Sequence, residues 1–169
     1  MKAGRKTLAP PPAAELVSAL RLLHPFPSFL VAGLTLAMVR MESAHAGLGL
    51  YLQLGLGMLL YQFSIGIAND VVDSPDDAVA KPWKALPRGT VSRRVAVLAA
   101  AGCAGGGLAV TAGLDTGVWL VGLGGWLCGM AYDLRLKRTR LSWLPYSVAF
   151  PLAPVWVYLA TDAWRPLLW

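Results

Sequence analysis

The sequence predicts an all-α fold, a polytopic transmembrane helix bundle of about five spans. Three observations carry that expectation. The 169 residues are 56% hydrophobic and only 14% charged, where a soluble domain averages about a quarter charged residues. Five apolar runs, residues 22–41, 46–68, 95–114, 116–131 and 144–161, contain no Asp, Glu, Lys or Arg except Arg40. Each approaches the length that crosses a ~30 Å hydrocarbon core, with the fourth and fifth near the short limit. Finally, the basic residues fall on alternate loops.

Residues 1–20 read as a basic tail ending in a short interfacial helix, and residues 21–169 as the transmembrane domain. Lys2, Arg5 and Lys6 are followed by Pro10, Pro11 and Pro12. That order lacks the short apolar core and small-residue cleavage site of a signal peptide, so the first span is expected to stay as an anchor. The runs show little of the polar stripe that a soluble bundle of buried helices needs. No strand alternation long enough for a membrane barrel is present.

With five spans, one side holds Lys2, Arg5, Lys6, Arg21, Lys81, Lys84, Arg88, Arg93, Arg94, Arg135, Lys137, Arg138 and Arg140, and the other holds Arg40 and Arg165. By the positive-inside rule the N-terminus and the loops at 69–94 and 132–142 are cytoplasmic, in a multi-pass protein of the inner, cytoplasmic membrane. The net charge of +6 is then explained by topology, with the bilayer as partner and no nucleic acid. Trp83, Trp143, Trp164 and Trp169 lie near span ends, where indole suits the headgroup layer. The Gly102/Gly106 and Gly125/Gly129 pairs are small-residue spacings that favour helix contact in lipid. Cys103 and Cys128 read as buried thiols, and His24 and His45 as interfacial side chains.

The second run leads into Asn69-Asp70-Val71-Val72-Asp73-Ser74-Pro75-Asp76-Asp77. On a helix, Asp70, Asp73 and Asp77 at i, i+3 and i+7 share a face, although Pro75 predicts a kink or break. Clustered carboxylates oppose one another's ionisation, and a hard divalent cation relieves them. Mg²⁺ is usually held by one or two carboxylates plus substrate phosphates. Acids repeated at the end of a span are functional by default. Lys81, Lys84 and Arg88 follow at once, and Tyr132, Asp133, Arg135, Lys137, Arg138 and Arg140 form a second basic cluster after the fourth run. Cations beside an acidic metal site are what a diphosphate requires.

Asn69-Asp70-x-x-Asp73-x-x-x-Asp77, followed by Lys81-Pro82-Trp83-Lys84-x-x-Pro87-x-Gly89, resembles the first signature of the UbiA-type intramembrane prenyltransferases. Tyr132 followed by Leu136-Lys137-Arg138 resembles that family's Tyr…Lys element, and Arg21 and Pro25 fit the head of its first span. Lys84-Ala85 stands where Arg-Pro is common, keeping the charge but losing the bidentate fork. The resemblance implies a Mg²⁺-dependent transfer of a prenyl group from an allylic prenyl diphosphate to an aromatic or other lipophilic acceptor. It implies that Asn69, Asp70, Asp73 and Asp77 hold the metal, with the three acids catalytic. Asn69, Lys81, Lys84, Arg88, Tyr132, Lys137 and Arg138 would contact or orient the diphosphate. The family's nine-helix bundle carries a second Asp-rich motif. After Asp77 this sequence has only the isolated Asp115, Asp133 and Asp162, so it reads as the truncated N-terminal half of such a bundle. A catalytically incompetent half-bundle is one alternative. A CDP-alcohol phosphotransferase is the other, although its DGxxAR run is missing.

Overall fold

A computed structural model describes residues 12–162. The regular elements are all helical, with no strand among the described residues: α1 (Pro12–Arg21), α2 (Pro25–Glu42), α3 (Leu48–Ala80), α4 (Arg93–Thr111), α5 (Thr116–Ala131), a π turn (Tyr132–Leu136) and α6 (Leu144–Ala160). Lys2, Arg5, Lys6, Trp164, Arg165 and Trp169 lie outside the described residues.

The helices wear their apolar residues on the outside. α2 buries Ser28, Ala32, Thr35 and Val39, a narrow stripe one helical turn apart. Phe26 (80% exposed), Phe29, Leu30 and Leu34 point outward. In water that arrangement would be a large apolar patch inviting association. In lipid it is the expected one, because small residues bring helices together while large apolar ones meet the acyl chains.

Among the described residues two helices, α3 and α4, are long and apolar enough to cross a membrane. α1 and α2, bent by 45°, add a third span if counted as one. α5 and α6 coincide with the fourth and fifth predicted runs but have 16 and 17 residues, about 24–26 Å. The π turn continues the helical path of α5 to Leu136.

The bend between α1 and α2 falls at His24, whose φ of 47° is left-handed, followed by Pro25 at the first position of α2. Proline fits there because its missing N–H would be unpaired anyway. Ser28 ties the corner: its N–H donates to His24 O (3.1 Å) and its hydroxyl to Leu23 O (3.0 Å).

α3 has 33 residues, about 50 Å. A ~30 Å core uses about 20 of them, which carries the chain from Leu48 to near Ala68. A core that began at Leu48 would leave the Asp-rich turns beyond the hydrocarbon. The break expected at Pro75 does not occur, since the helix runs on to Ala80 with Pro75 inside it. Pro75 cannot donate to the Val71 carbonyl four residues earlier. The Arg93 guanidinium, from the first turn of α4, donates to that carbonyl instead at 2.8 Å.

α3 packs chiefly on α4, and α5 on α6. The α4 contact stripe is Ala96, Ala100, Ala104, Gly107 and Thr111. Of the two glycine pairs singled out in the sequence, one member of each faces α3, Gly106 against Leu60 and Gly129 against Ile65. Gly102 and Gly125 have nothing within 4 Å of an added Cβ, whereas one at Gly107 would strike the Tyr61 ring, one at Gly122 the Trp156 ring and one at Gly129 Ile65. The close approaches follow which face the partner aromatic reaches, and spacing alone does not encode that. Cys103 and Cys128 are unpaired and half-buried.

Residues 81–92 fold back beneath the end of α3. Ala85 is buried with Ile67, Val71, Ala96 and Ala100. Gly89 takes φ 73°, a left-handed value natural to glycine. Ser92 caps α4 by accepting from Val95 N–H. This packed loop holds Lys84 against α3.

Candidate functional site: two lysine-bridged pairs at the mouth of a cavity

Because α3 stays helical through Pro75, its polar side chains project in two neighbouring rows. Asp70 and Asp77 are buried, at 5% and 4% exposure. The Lys84 ammonium sits between them, donating to Asp70 Oδ1 and Asp77 Oδ2 at 2.7 Å each. Lys81 adds a looser contact to Asp77, at 3.3 Å. Burial works against the Lys84 charge, but the hydrogen bonds and charges of Asp70 and Asp77 outweigh it and hold its pKa above the usual lysine value. The ammonium is therefore firmly charged.

The second row is Asn69 and Asp73. Lys137, just past the π turn, donates to Asn69 Oδ1 at 3.0 Å and lies 2.6 Å from Asp73 Oδ1. Arg138 reaches Asp76, with Asp73 at 3.6 Å. Lys137 and Arg138 thus meet α3 across more than sixty residues of chain. The sequence placed Asn69, Asp70, Asp73 and Asp77 around one metal. The structure brings them together as two adjacent pairs, each closed by a lysine. Arg88 joins neither: it is exposed, and its backbone N–H donates to Lys84 O.

His24, read from sequence as an interfacial side chain, lies here too and faces the Asp-rich turns. Its Nε2 is 3.2 Å from Asp70 Oδ1, within ion-pair range but not aligned as a hydrogen bond. The left-handed corner before Pro25 turns the ring inward, where it packs on Gly66. The His-Pro step at the head of an apolar run was the available signal. Asp133, isolated in the sequence, is buried at 3% exposure, with Oδ1 3.8 Å from Lys137 and no hydrogen-bond partner at Oδ2. It lies beyond the apolar run that ends at Ala131. Burial, foremost, pushes its carboxyl up to about 6. Lys137 and His24 pull it down, while Asp73 and Asp70 push it further up.

A cavity of about 590 Å³ opens beside these groups, within the range of small-molecule sites. His24, Asn69, Tyr132 and Asp133 line its polar end, and Met58, Tyr61, Trp126, Phe150 and Trp156 line its depth. From Asn69 to Met58 it follows α3 for about 16 Å. The Tyr132 and Tyr146 rings meet edge to face at 4.7 Å, with Phe150 stacked on Tyr146.

Among the described residues no three His, Cys, Asp or Glu side chains converge as a metal-binding group. The donors nonetheless suit a hard cation. Two carboxylate oxygens converge on Lys84 Nζ, and a carboxylate and an amide oxygen converge on Lys137 Nζ. Two oxygens per cation, completed by water and phosphate, is how Mg²⁺ is commonly held.

A family model for the UbiA prenyltransferase family matches residues 26–169, and the chain belongs to that family. No curated protein and no solved structure matches it.

Proposed function

From that membership and this geometry we propose that the chain transfers a prenyl group from an allylic prenyl diphosphate to an aromatic or other lipophilic acceptor, in a Mg²⁺-dependent reaction. The observation that carries the reading is the placement of two cation-closed donor pairs at the polar mouth of an apolar cavity. A prenyl diphosphate has the same division. Its tail matches the aromatic and aliphatic walls along α3, and its head matches Lys81, Lys84, Lys137 and Arg138.

Asn69, Asp70, Asp73 and Asp77 would hold the metal. When bound, Mg²⁺ stabilises negative charge on the leaving diphosphate. Lys84 and Lys137, freed from their carboxylates, turn their ammonium groups to the phosphate oxygens and stabilise the same charge. Tyr132 orients the head group at the cavity rim. The apolar walls exclude water from the allylic carbon as its C–O bond breaks. The skew of basic residues supports placing this end at the cytoplasmic face.

The test is release of diphosphate, and formation of prenylated product, by the purified chain in lipid nanodiscs with Mg²⁺ and a panel of prenyl diphosphates. Release that depends on Mg²⁺ is expected. No release from any donor would sink the reading.

A further inference from the structure

The α3 carboxylates and their lysines are committed to the diphosphate end. Asp133 is not. It is buried, its Oδ2 has no hydrogen-bond partner, and it stands in the cavity wall. A buried carboxylate oxygen without a hydrogen bond is costly, and a packed protein keeps one where it has a task. The nearest cation, Lys137, is already held at 2.6 Å by Asp73 and lies 3.8 Å from Asp133 Oδ1. Asp133 belongs to the π turn, and such turns are frequent at functional sites.

The reaction leaves a proton to be placed. The allylic C–O bond breaks and its electron pair departs with the diphosphate. An electron pair of the acceptor ring forms the new C–C bond. The ring carbon then carries one proton too many, and aromaticity returns only when a base removes it. Around the cavity the titratable and charged groups are Lys137 on the same stretch, Asp70 and Asp73 from α3, His24 at the head of α2, and Tyr132 and Tyr146. His24 is turned to Asp70, and Asp73 is paired with Lys137. Tyr132, Tyr146 and Phe150 form an aromatic wall beside Asp133, a surface on which a ring stacks.

We infer that Asp133 is the catalytic base that takes the surplus ring proton from an aromatic acceptor once the new C–C bond has formed. The inference rests on the proposed prenyl transfer. A base is most effective when its pKa lies near the working pH, and the raised value of about 6 at Asp133 meets that condition.

The experiment uses the full chain in nanodiscs, geranylgeranyl diphosphate as donor, and a panel of hydroxylated benzoates and naphthoates as acceptors. It measures binding of the unreactive thiolodiphosphate analogue, diphosphate release, and the division of the prenyl group between aromatic product and prenyl alcohol. Asp133→Asn is expected to keep analogue affinity and diphosphate release. Aromatic product should fall about 100-fold, with prenyl alcohol taking its place. Product yield in the unaltered chain should rise with pH through about 6, as the carboxyl becomes the carboxylate, and that rise should vanish in Asp133→Asn. Asp133→Glu should restore part of the yield. Unchanged aromatic yield in Asp133→Asn overturns the inference, as does loss of analogue binding together with yield, which would assign Asp133 to the diphosphate. Failure of every panel member with a releasing enzyme overturns the aromatic acceptor. Absence of analogue binding by the unaltered chain overturns the proposed function itself.

Discussion

The two lysine-bridged pairs on α3 have the same chemistry and different origins. Asp70 and Asp77 receive Lys84 from the segment that directly follows their own helix, fourteen and seven residues away respectively. Asn69 and Asp73 receive Lys137 from just past the π turn that follows α5, sixty-eight residues from Asn69. The first pair is closed by a local loop and the second by the bundle. The first should therefore report on cation exchange within the loop, and the second on whether the helices are correctly assembled around substrate.

Asp73→Asn should have the largest effect. It removes a ligand charge with little change in volume, so diphosphate release should fall about 1,000-fold, the scale of losing a principal electrostatic group, while membrane insertion is unchanged. Release at the unaltered rate would remove the second pair from the mechanism. Lys137→Met should come next. It takes a charged hydrogen-bond donor from Asn69 and Asp73, and analogue binding should weaken about 10–100-fold. If Lys84→Met costs as much and Lys137→Met nothing, the assignment of the long-range pair to substrate is reversed.

Lys84→Gln separates the pairs by the sign of its effect. With the ammonium gone from between Asp70 and Asp77, Mn²⁺ should bind about tenfold more tightly in the absence of diphosphate, measured by electron paramagnetic resonance. Unchanged Mn²⁺ affinity would mean that Lys84 does not hold the cation position. The smallest effect is expected for Arg93→Met. Loss of the donor to Val71 O should destabilise the last turns of α3 by about 1 kcal/mol, read as faster amide exchange over residues 72–80. Protection unchanged there would show that Pro75 needs no external donor.

The same contrast explains what could be read from the sequence. Asp70, Asp73, Asp77, Lys81 and Lys84 lie within one short stretch, so their spacing revealed a charged site before any fold was known. The apolar runs likewise marked all the long helices. What the sequence could not show depends on contacts between distant segments. Pro75 keeps its helix because Arg93 replaces the missing donor, twenty-two residues from Val71. His24 enters the site because of a left-handed corner. Asp133 joins it because a π turn carries it under Lys137. An acid two residues past the fourth apolar run was the visible trace of that role. Arg88 has the expected charge and neighbours, but its loop turns it outward.

The length of α3 has a kinetic consequence. One helix carries both the lipid-embedded wall of the cavity and, about 16 Å further along, the groups that meet the head of the substrate. Under the proposed reaction a donor partitioned into the bilayer is captured without leaving it. The quantity that saturates the enzyme is then the donor's mole fraction among the lipids. Adding empty vesicles at a fixed bulk amount of donor should slow turnover by surface dilution alone.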